Sequence, residues 1–286
     1  MNSSGATAGL GLVSAASWGG SDFLGGLGAR RAPALLVVAS GHLFSLLVLL
    51  AICLAAHLAL PGRHDLLFSS VAGFEGSVAL ALFYRALAMG AMGLTAALTG
   101  LLTALVPVLF SLAHDGLPTP LTACGLALGL AAIWLITHSP AAKGQQEKRA
   151  AAPPAALLLG ALAGLGFGAQ LILFKFAAGG GLLWVMTSAR GAGVAAMLLV
   201  LLVLPPKAPW RGFWLYGILA GSLDTVGNLF YIQTTRLGRL DVAALVCSLY
   251  PAGTILLAAL VLREWPTRRQ FAGMALALAA VVLLSV

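Results

Sequence analysis

The sequence predicts an all-α polytopic membrane protein, with ten transmembrane helices arranged as two inverted five-helix repeats around a central cavity. Three observations predict it. Of the 286 residues, 60% are hydrophobic and 8% charged, and the mean hydropathy of +1.02 lies far from that of soluble domains. Apolar runs of about 20 residues, the length that crosses a ~30 Å hydrocarbon core as helix, recur along the whole chain between short polar breaks. The two sides of a polar stretch near the middle also match each other at a nearly constant offset.

Breaks at Gly, Pro and charged clusters place the helices near 8–28, 33–58, 66–88, 91–113, 119–138, 155–178, 183–204, 212–235, 240–262 and 266–286. The longest polar stretch, SPAAKGQQEKRAAAPP, reads as a linker. It divides the chain into a first repeat over 1–138, a linker over 139–154 and a second repeat over 155–286. The opening MNSSGATAGL lacks the basic region of a secretory signal peptide and leads into too long an apolar run, so the first helix is expected to be retained.

The repeat is visible at an offset of 147 to 148 residues. Phe83-Tyr84 recurs as Phe230-Tyr231, Ala96-Ala97-Leu98 as Ala243-Ala244-Leu245, and Pro118-Thr119 as Pro266-Thr267. Gly125 recurs as Gly273, Ser40 as Ser188 and Gly20 as Gly168, while His42 maps to Arg190 and Asp22 to Gln170. With an odd number of helices per unit, the second copy enters the membrane from the side opposite the first. Inverted repeats are a recurrent plan of secondary transporters, in which two related halves expose a midplane site alternately to each side.

Lys and Arg sit almost entirely at the ends of apolar runs, so the net charge of +8 reads as orientation and headgroup contact, with a lipid bilayer and not nucleic acid as partner. Odd-numbered connections hold Arg30, Arg31, Arg85, Lys143, Lys148, Arg149, Lys207, Arg211, Arg263, Arg268 and Arg269. Even-numbered ones hold Arg63, Lys175, Arg236 and Arg239. The positive-inside rule then puts the odd connections in the cytoplasm and both termini outside. Cys53, Cys124 and Cys247 each lie in an apolar run and read as small buried residues, without disulfide or metal-ligand spacing.

On particular residues the chain resembles the EamA-type transporters of the drug/metabolite transporter superfamily. The marks are Trp18-Gly19-Gly20-Ser21 in the first helix, FYRAL at 83–87, SLYP at 248–251, and LREWPT at 262–267, which is similar to the Gly-Glu-Arg-Leu-Thr turn before the last helix of that family. The first half departs from the pattern, with HDGLPT at 114–119 in place of the acidic turn, Pro107 one turn later than Pro251 would put it, and His42 where the family often has Arg. The resemblance implies a ten-helix exporter of a small metabolite, such as an amino acid or related amphipathic compound, in a bacterial-type inner membrane. It also implies both termini inside, against the charge rule.

Ionisable side chains at bilayer depth are costly and tend to face a partner or a water-filled cavity. The candidates are Asp22, His42, Glu75, Arg190 and Asp224. Gly217, Gly221, Asp224, Asn228 and Tyr231 follow helical spacing along one face, either a packing seam with a neighbouring helix or the wall of a cavity, and the polar end favours the cavity. Trp18, Asp22 and Gly25 share a face of the first helix, and the repeat mate Gln170 offers a second polar group at the same depth. Glycines at 19, 20, 25 and 26, and at 164, 166 and 168, permit bending or close approach in two helices. GLGFG is a poor dinucleotide loop, since no strand precedes it. Arg190 is open to two readings: a bidentate clamp for a substrate carboxylate, or the neutralising partner of Asp22, Glu75 or Asp224.

Glu75 lies opposite Tyr84 on its helix wheel, so the two cannot both face one cavity. Thr95, Thr99 and Thr103 form one column, and Cys247, Pro251 and Thr254 another, on corresponding helices of the two halves; Pro107 and Pro251 each free a backbone carbonyl. The expected substrate-binding set is thus Trp18, Asp22, His42, Tyr84, Gln170, Arg190, Asp224, Asn228, Tyr231 and Tyr250, with Asp22, Glu75 and Asp224 as proton-coupling candidates.

No ATP-binding loop is evident, so the expected driving force is an ion gradient or exchange, with no cofactor or metal, acting as a monomer or homodimer. A membrane-embedded enzyme for a lipid or prenyl substrate is a competing class. It needs acids, His or nucleophiles clustered at one interface, whereas here they are scattered one per helix. A scaffold or receptor subunit, the third class, does not explain the duplication, and a multidrug or other-metabolite carrier would share the fold.

Overall fold

A computed structural model describes residues 3–89, 92–137, 153–205, 212–262 and 267–284. These residues are almost wholly helical, with no strand among them. In chain order the helices are α1 (Ser3–Ala29), α2 (Ala34–Ala55), α3 (Arg63–Ala88), α4 (Met92–His114), α5 (Pro120–Thr137), α6 (Pro154–Phe176), α7 (Leu182–Val203), α8 (Phe213–Leu237), α9 (Leu240–Cys247), α10 (Tyr250–Leu262) and α11 (Arg268–Leu284). A single 3₁₀ turn, Ala177–Gly179, follows α6. Most of the predicted linker and the centre of LREWPT lie outside the described residues.

Pro, Gly and charge set most of these ends, as the sequence suggests. Pro33 and Pro153 cap α2 and α6, where a missing N–H costs nothing. Gly212 and Gly116 take positive φ before α8 and in the α4–α5 turn, a backbone state that Cβ disfavours. The helix expected over 240–262 is divided instead, into α9 and α10. Pro251 has no N–H to offer Cys247, so the chain tightens there, with the amide of Leu249 on the carbonyl of Val246 and that of Ala252 on Leu249.

Among the described residues, five helical stretches are long and apolar enough to cross a membrane: Ala34–Ala55, Arg63–Ala88, Pro154–Gly179, Leu182–Val203 and Leu240–Val261. Leu98–His114 and Pro120–Leu135 are shorter apolar helices. The outer surface carries large aliphatic side chains, among them Leu47, Leu54, Leu202, Leu260 and Val282, in a quantity that water would not tolerate and lipid does.

The main packings join the front of the chain to its back. α1 lies antiparallel along α8, with Gly28 against Tyr216, Trp18 against Gly227 and Thr7 against Gly238. α3 lies antiparallel along α6 in the same manner, with Phe68 on Phe176, Phe83 on Phe167 and Glu75 beside Gly166. α2 runs parallel to α8, and α3 parallel to α7. α1 pairs with α10, α4 with α6, and α5 with α11. Hydrophobic burial cannot drive helices together inside lipid, so close contact and hydrogen bonds must.

Glycine supplies that contact. The Cα of Gly221 rests on Gly41, and a Cβ at Gly41 would come within 2.9 Å of it. α1 and α6 run unbroken through their glycines, which form notches for neighbouring helices. Gly19 lies under the backbone of α10, Gly25 under the ring of Tyr84, and Gly164 against the backbone of Thr99.

Candidate functional site

A narrow cavity opens among the helices, lined by Trp18, Asp22, Leu80, Thr103, Phe167, Gln170, Leu171, Asp224, Asn228 and Tyr250. Six of the ten expected binding residues are on its wall: Trp18, Asp22, Gln170, Asp224, Asn228 and Tyr250. Asp22 and Gln170, paired in the sequence comparison, both reach it, one from α1 and one from α6.

The other four lie behind the wall. Arg190, 3% exposed, donates from Nη2 to Asp224 Oδ2 at 2.5 Å and from Nη1 to His42 Nδ1 at 2.7 Å. Guanidinium only donates, so His42 Nδ1 accepts and the imidazole proton sits on Nε2, which donates to Ser77 Oγ at 3.1 Å. Ser77 passes its own proton to the carbonyl of Gly73 at 2.5 Å. One chain of charge and hydrogen bonds thus ties α8, α7, α2 and α3 together, and of the partners considered for Arg190 it is Asp224 that holds it.

Tyr84 and Tyr231, matched in the sequence comparison of the two sides, each fasten a pair of helices. Tyr84 Oη pairs with Ser21 Oγ at 3.0 Å, fastening α3 to α1. Tyr231 Oη donates to the carbonyl of Leu171 at 2.8 Å, fastening α8 to α6. The ring of Tyr231 also backs Trp18, at 5.8 Å between centroids, while Tyr250 meets Trp18 edge-on at 6.2 Å. Glu75 is half-buried at the α3–α6 contact, off the wall of the cavity, and its Oε2 has no hydrogen-bond partner.

The α8 stripe divides between its two readings. Its glycine end is a seam: Gly217 sits against Ser40 and the carbonyl of Val37, Gly221 against Gly41, and Ser45 donates to the carbonyl of Gly221 at 3.2 Å. Its polar end is cavity, through Asp224 and Asn228. The threonine column behaves mainly as backbone glue, since Thr103 donates to the carbonyl of Thr99 and Thr99 to that of Gly160, each at 2.8 Å. Thr103 nonetheless reaches the wall.

Sequence reasoning missed Leu80, Phe167 and Leu171. For Phe167 a signal existed, because Phe167, Gln170 and Leu171 follow i, i+3, i+4 spacing, and the residues flanking Phe167 are glycines that leave its ring free to project.

The EamA-like transporter family matches residues 154–286. A solved structure described only as the crystal structure of a protein is similar over 99% of this chain and 96% of its own, at 20% identity and a TM-score of 0.73. No curated protein matches. The likeness to the solved structure concerns the fold alone and extends it across both halves. The match includes SLYP and LREWPT but not the first-half marks Trp18-Gly19-Gly20-Ser21 and FYRAL, so the EamA resemblance is borne out over residues 154–286. With the apolar exterior and the long apolar helices among the described residues, this marks a multi-pass membrane protein whose second half is similar to EamA-like transporters.

Proposed function

We propose that the chain is a secondary transporter of the inner (plasma) membrane, exporting a small metabolite such as an amino acid or related amphipathic compound by alternating access. Its frame is ten spans in two inverted five-helix repeats, 1–138 and 155–286, joined by the linker 139–154. The matched packings support this frame. α1 on α8 has its counterpart in α6 on α3, α2 on α8 in α7 on α3, and α1 on α10 in α6 on α4. His42 touches its own repeat mate Arg190, as a residue on a two-fold axis does.

The observation that carries the reading is a cavity walled by both halves, with Trp18, Asp22, Leu80 and Thr103 from the first and Phe167, Gln170, Leu171, Asp224, Asn228 and Tyr250 from the second. Rocking one half against the other would open such a site to each side in turn. Trp18 and Tyr250 pack the substrate's apolar body, and Asp22, Gln170, Asp224 and Asn228 meet its polar groups. His42 and Arg190 hold Asp224 in place, Tyr84 and Tyr231 hold the wall, and Asp22, Asp224 or Glu75 carries a coupled proton.

Three of the four basic residues at the even connections are occupied within the protein: Lys175 on the carbonyl of Thr235 at 2.6 Å, Arg236 on those of Ala178 and Gly180, and Arg239 on Asp241. Cations on helix C-terminal carbonyls act as caps, so fewer of them are free for headgroups. This favours odd connections in the cytoplasm and both termini outside. Proteoliposomes test the function directly. Uptake or exchange of a labelled amino acid that Asp224→Ala abolishes supports transport, and chemical turnover without movement across the bilayer rejects it.

A further inference from the structure

The two carboxylates of the cavity stand in different company. Asp224 is engaged by Arg190, whereas Asp22, 6% exposed, forms no hydrogen bond or ion pair among the described residues. The charged and amide donors around it are largely committed elsewhere, and the free donors on the wall are the neutral Tyr250 Oη and Trp18 indole N–H. Arg190 spends Nη1 and Nη2 on His42 and Asp224, Gln170 Nε2 donates to the carbonyl of Ala72 at 3.2 Å, and Asn228 Nδ2 donates to the backbone carbonyl of Asp224 at 2.8 Å. The Thr103 hydroxyl goes to Thr99. The acceptors stay open: the Asp22 carboxylate and Asn228 Oδ1, which is buried without a partner.

A pocket that offers a free carboxylate and a free amide oxygen, and no free cation on its wall, is best complemented by a group that brings several N–H donors and a positive charge. Its walls suit the same guest. Trp18, one turn before Asp22, together with Tyr250 and Phe167, offers aromatic faces that attract cations and cover apolar stems. A substrate carboxylate would meet only the neutral donors Tyr250 Oη and Trp18 Nε1, with no cation on the wall. Arg190, the cation nearest the site, is absent from the wall and would have to be drawn off Asp224 first.

We propose that the cavity selects protonated amines on an apolar or aromatic body, with the ammonium on Asp22 and Asn228 Oδ1, and that a substrate carboxylate contributes nothing to recognition. This rests on the reading of the cavity as the transport site and names the chemical class that site takes.

Three probes of one shape and different charge test it on the purified full-length protein: phenethylamine, phenylacetate and 2-phenylethanol, with binding followed by calorimetry. Phenethylamine is expected to bind at least tenfold more tightly than either of the others. Asp22→Asn, which keeps the shape and removes a buried charge, should weaken phenethylamine at least tenfold, and Asp22→Glu should restore part of the loss. Phenylacetate binding as well as the amine, no amine binding at millimolar concentration, or an unchanged affinity in Asp22→Asn overturns the proposal. The charge series on the wild-type protein decides the matter even if the variants fold poorly. Counterflow in proteoliposomes separates this proposal from the transport reading. Amine that binds but is not exchanged sinks transport and leaves the amine site, while exchange of phenylacetate but not phenethylamine leaves transport and sinks the amine site.

Discussion

Breaking the Arg190–Asp224 pair from either side should cost far more than removing both partners together. The side chains are 4% and 13% exposed and meet at 2.5 Å, and His42 supplies the only other hydrogen bond to Arg190 among the described residues. At an effective dielectric near 20, two unit charges about 4 Å apart attract by about 4 kcal/mol. Removing one member of a buried pair typically costs about 3–5 kcal/mol, because the other charge stays buried without compensation. Asp224 borders the cavity, where water can relieve it, so Arg190→Met should fall at the lower end, about 3 kcal/mol. Asp224→Leu strands a guanidinium away from the cavity and should fall at the upper end, about 5 kcal/mol. The double variant leaves no orphan charge, only the neutral acceptor His42 Nδ1, and should lie within about 1–2 kcal/mol of wild type. Unfolding in SDS titrations of purified protein, followed by circular dichroism, measures all four corners of the cycle. Additive losses, with the double variant the least stable of the four, would show that the pair is not a coupled unit and would remove Arg190 as the anchor of Asp224.

Three further outcomes follow from the packing and the charge distribution. Gly41→Val should destabilise the α2–α8 seam by at least the ~1–3 kcal/mol typical of overpacking, since its first added carbon already crowds the backbone of Gly217 and Gly221; wild-type behaviour in the same SDS titration would contradict the seam. Tyr231→Phe and Tyr84→Phe should each cost about 1 kcal/mol of stability through one lost hydrogen bond, with ligand affinity by calorimetry little changed, and a large selective loss of affinity would move these hydroxyls into the site. After replacement of Cys53, Cys124 and Cys247, a cysteine at Ser3 should react with an impermeant maleimide in intact cells; labelling only after permeabilisation would reverse the orientation.

Helix positions were legible to within a few residues because lipid imposes a length and a composition on each span, and Pro and Gly mark the ends. The break between α9 and α10 was not read, although Pro251 was seen. Whether a proline kinks a helix or divides it depends on what can receive the freed carbonyl, which is a property of the neighbours. Asp22, Asp224 and Asn228 were legible as cavity residues because polar groups at that depth have few other reasons to exist. Leu80 and Leu171 were not, since apolar side chains facing a cavity, a neighbour or lipid look alike in sequence, and Phe167 was marked only by its flanking glycines and its spacing to Gln170.

The sequence by itself determined that this is a membrane protein, where its helices lie, that its two sides echo each other, and which few residues carry charge into the apolar interior. Those are properties of composition and spacing, and each can be read one segment at a time. Only the tertiary structure decided that Arg190 belongs to Asp224 and not to Asp22, that the glycine half of the α8 stripe is a seam while its polar half is wall, and that Tyr84 and Tyr231 hold helices together behind the cavity. The reason is physical. A side chain's partner is set by which faces of which helices meet, and in lipid those meetings depend on glycine notches and on hydrogen bonds between residues far apart in the chain.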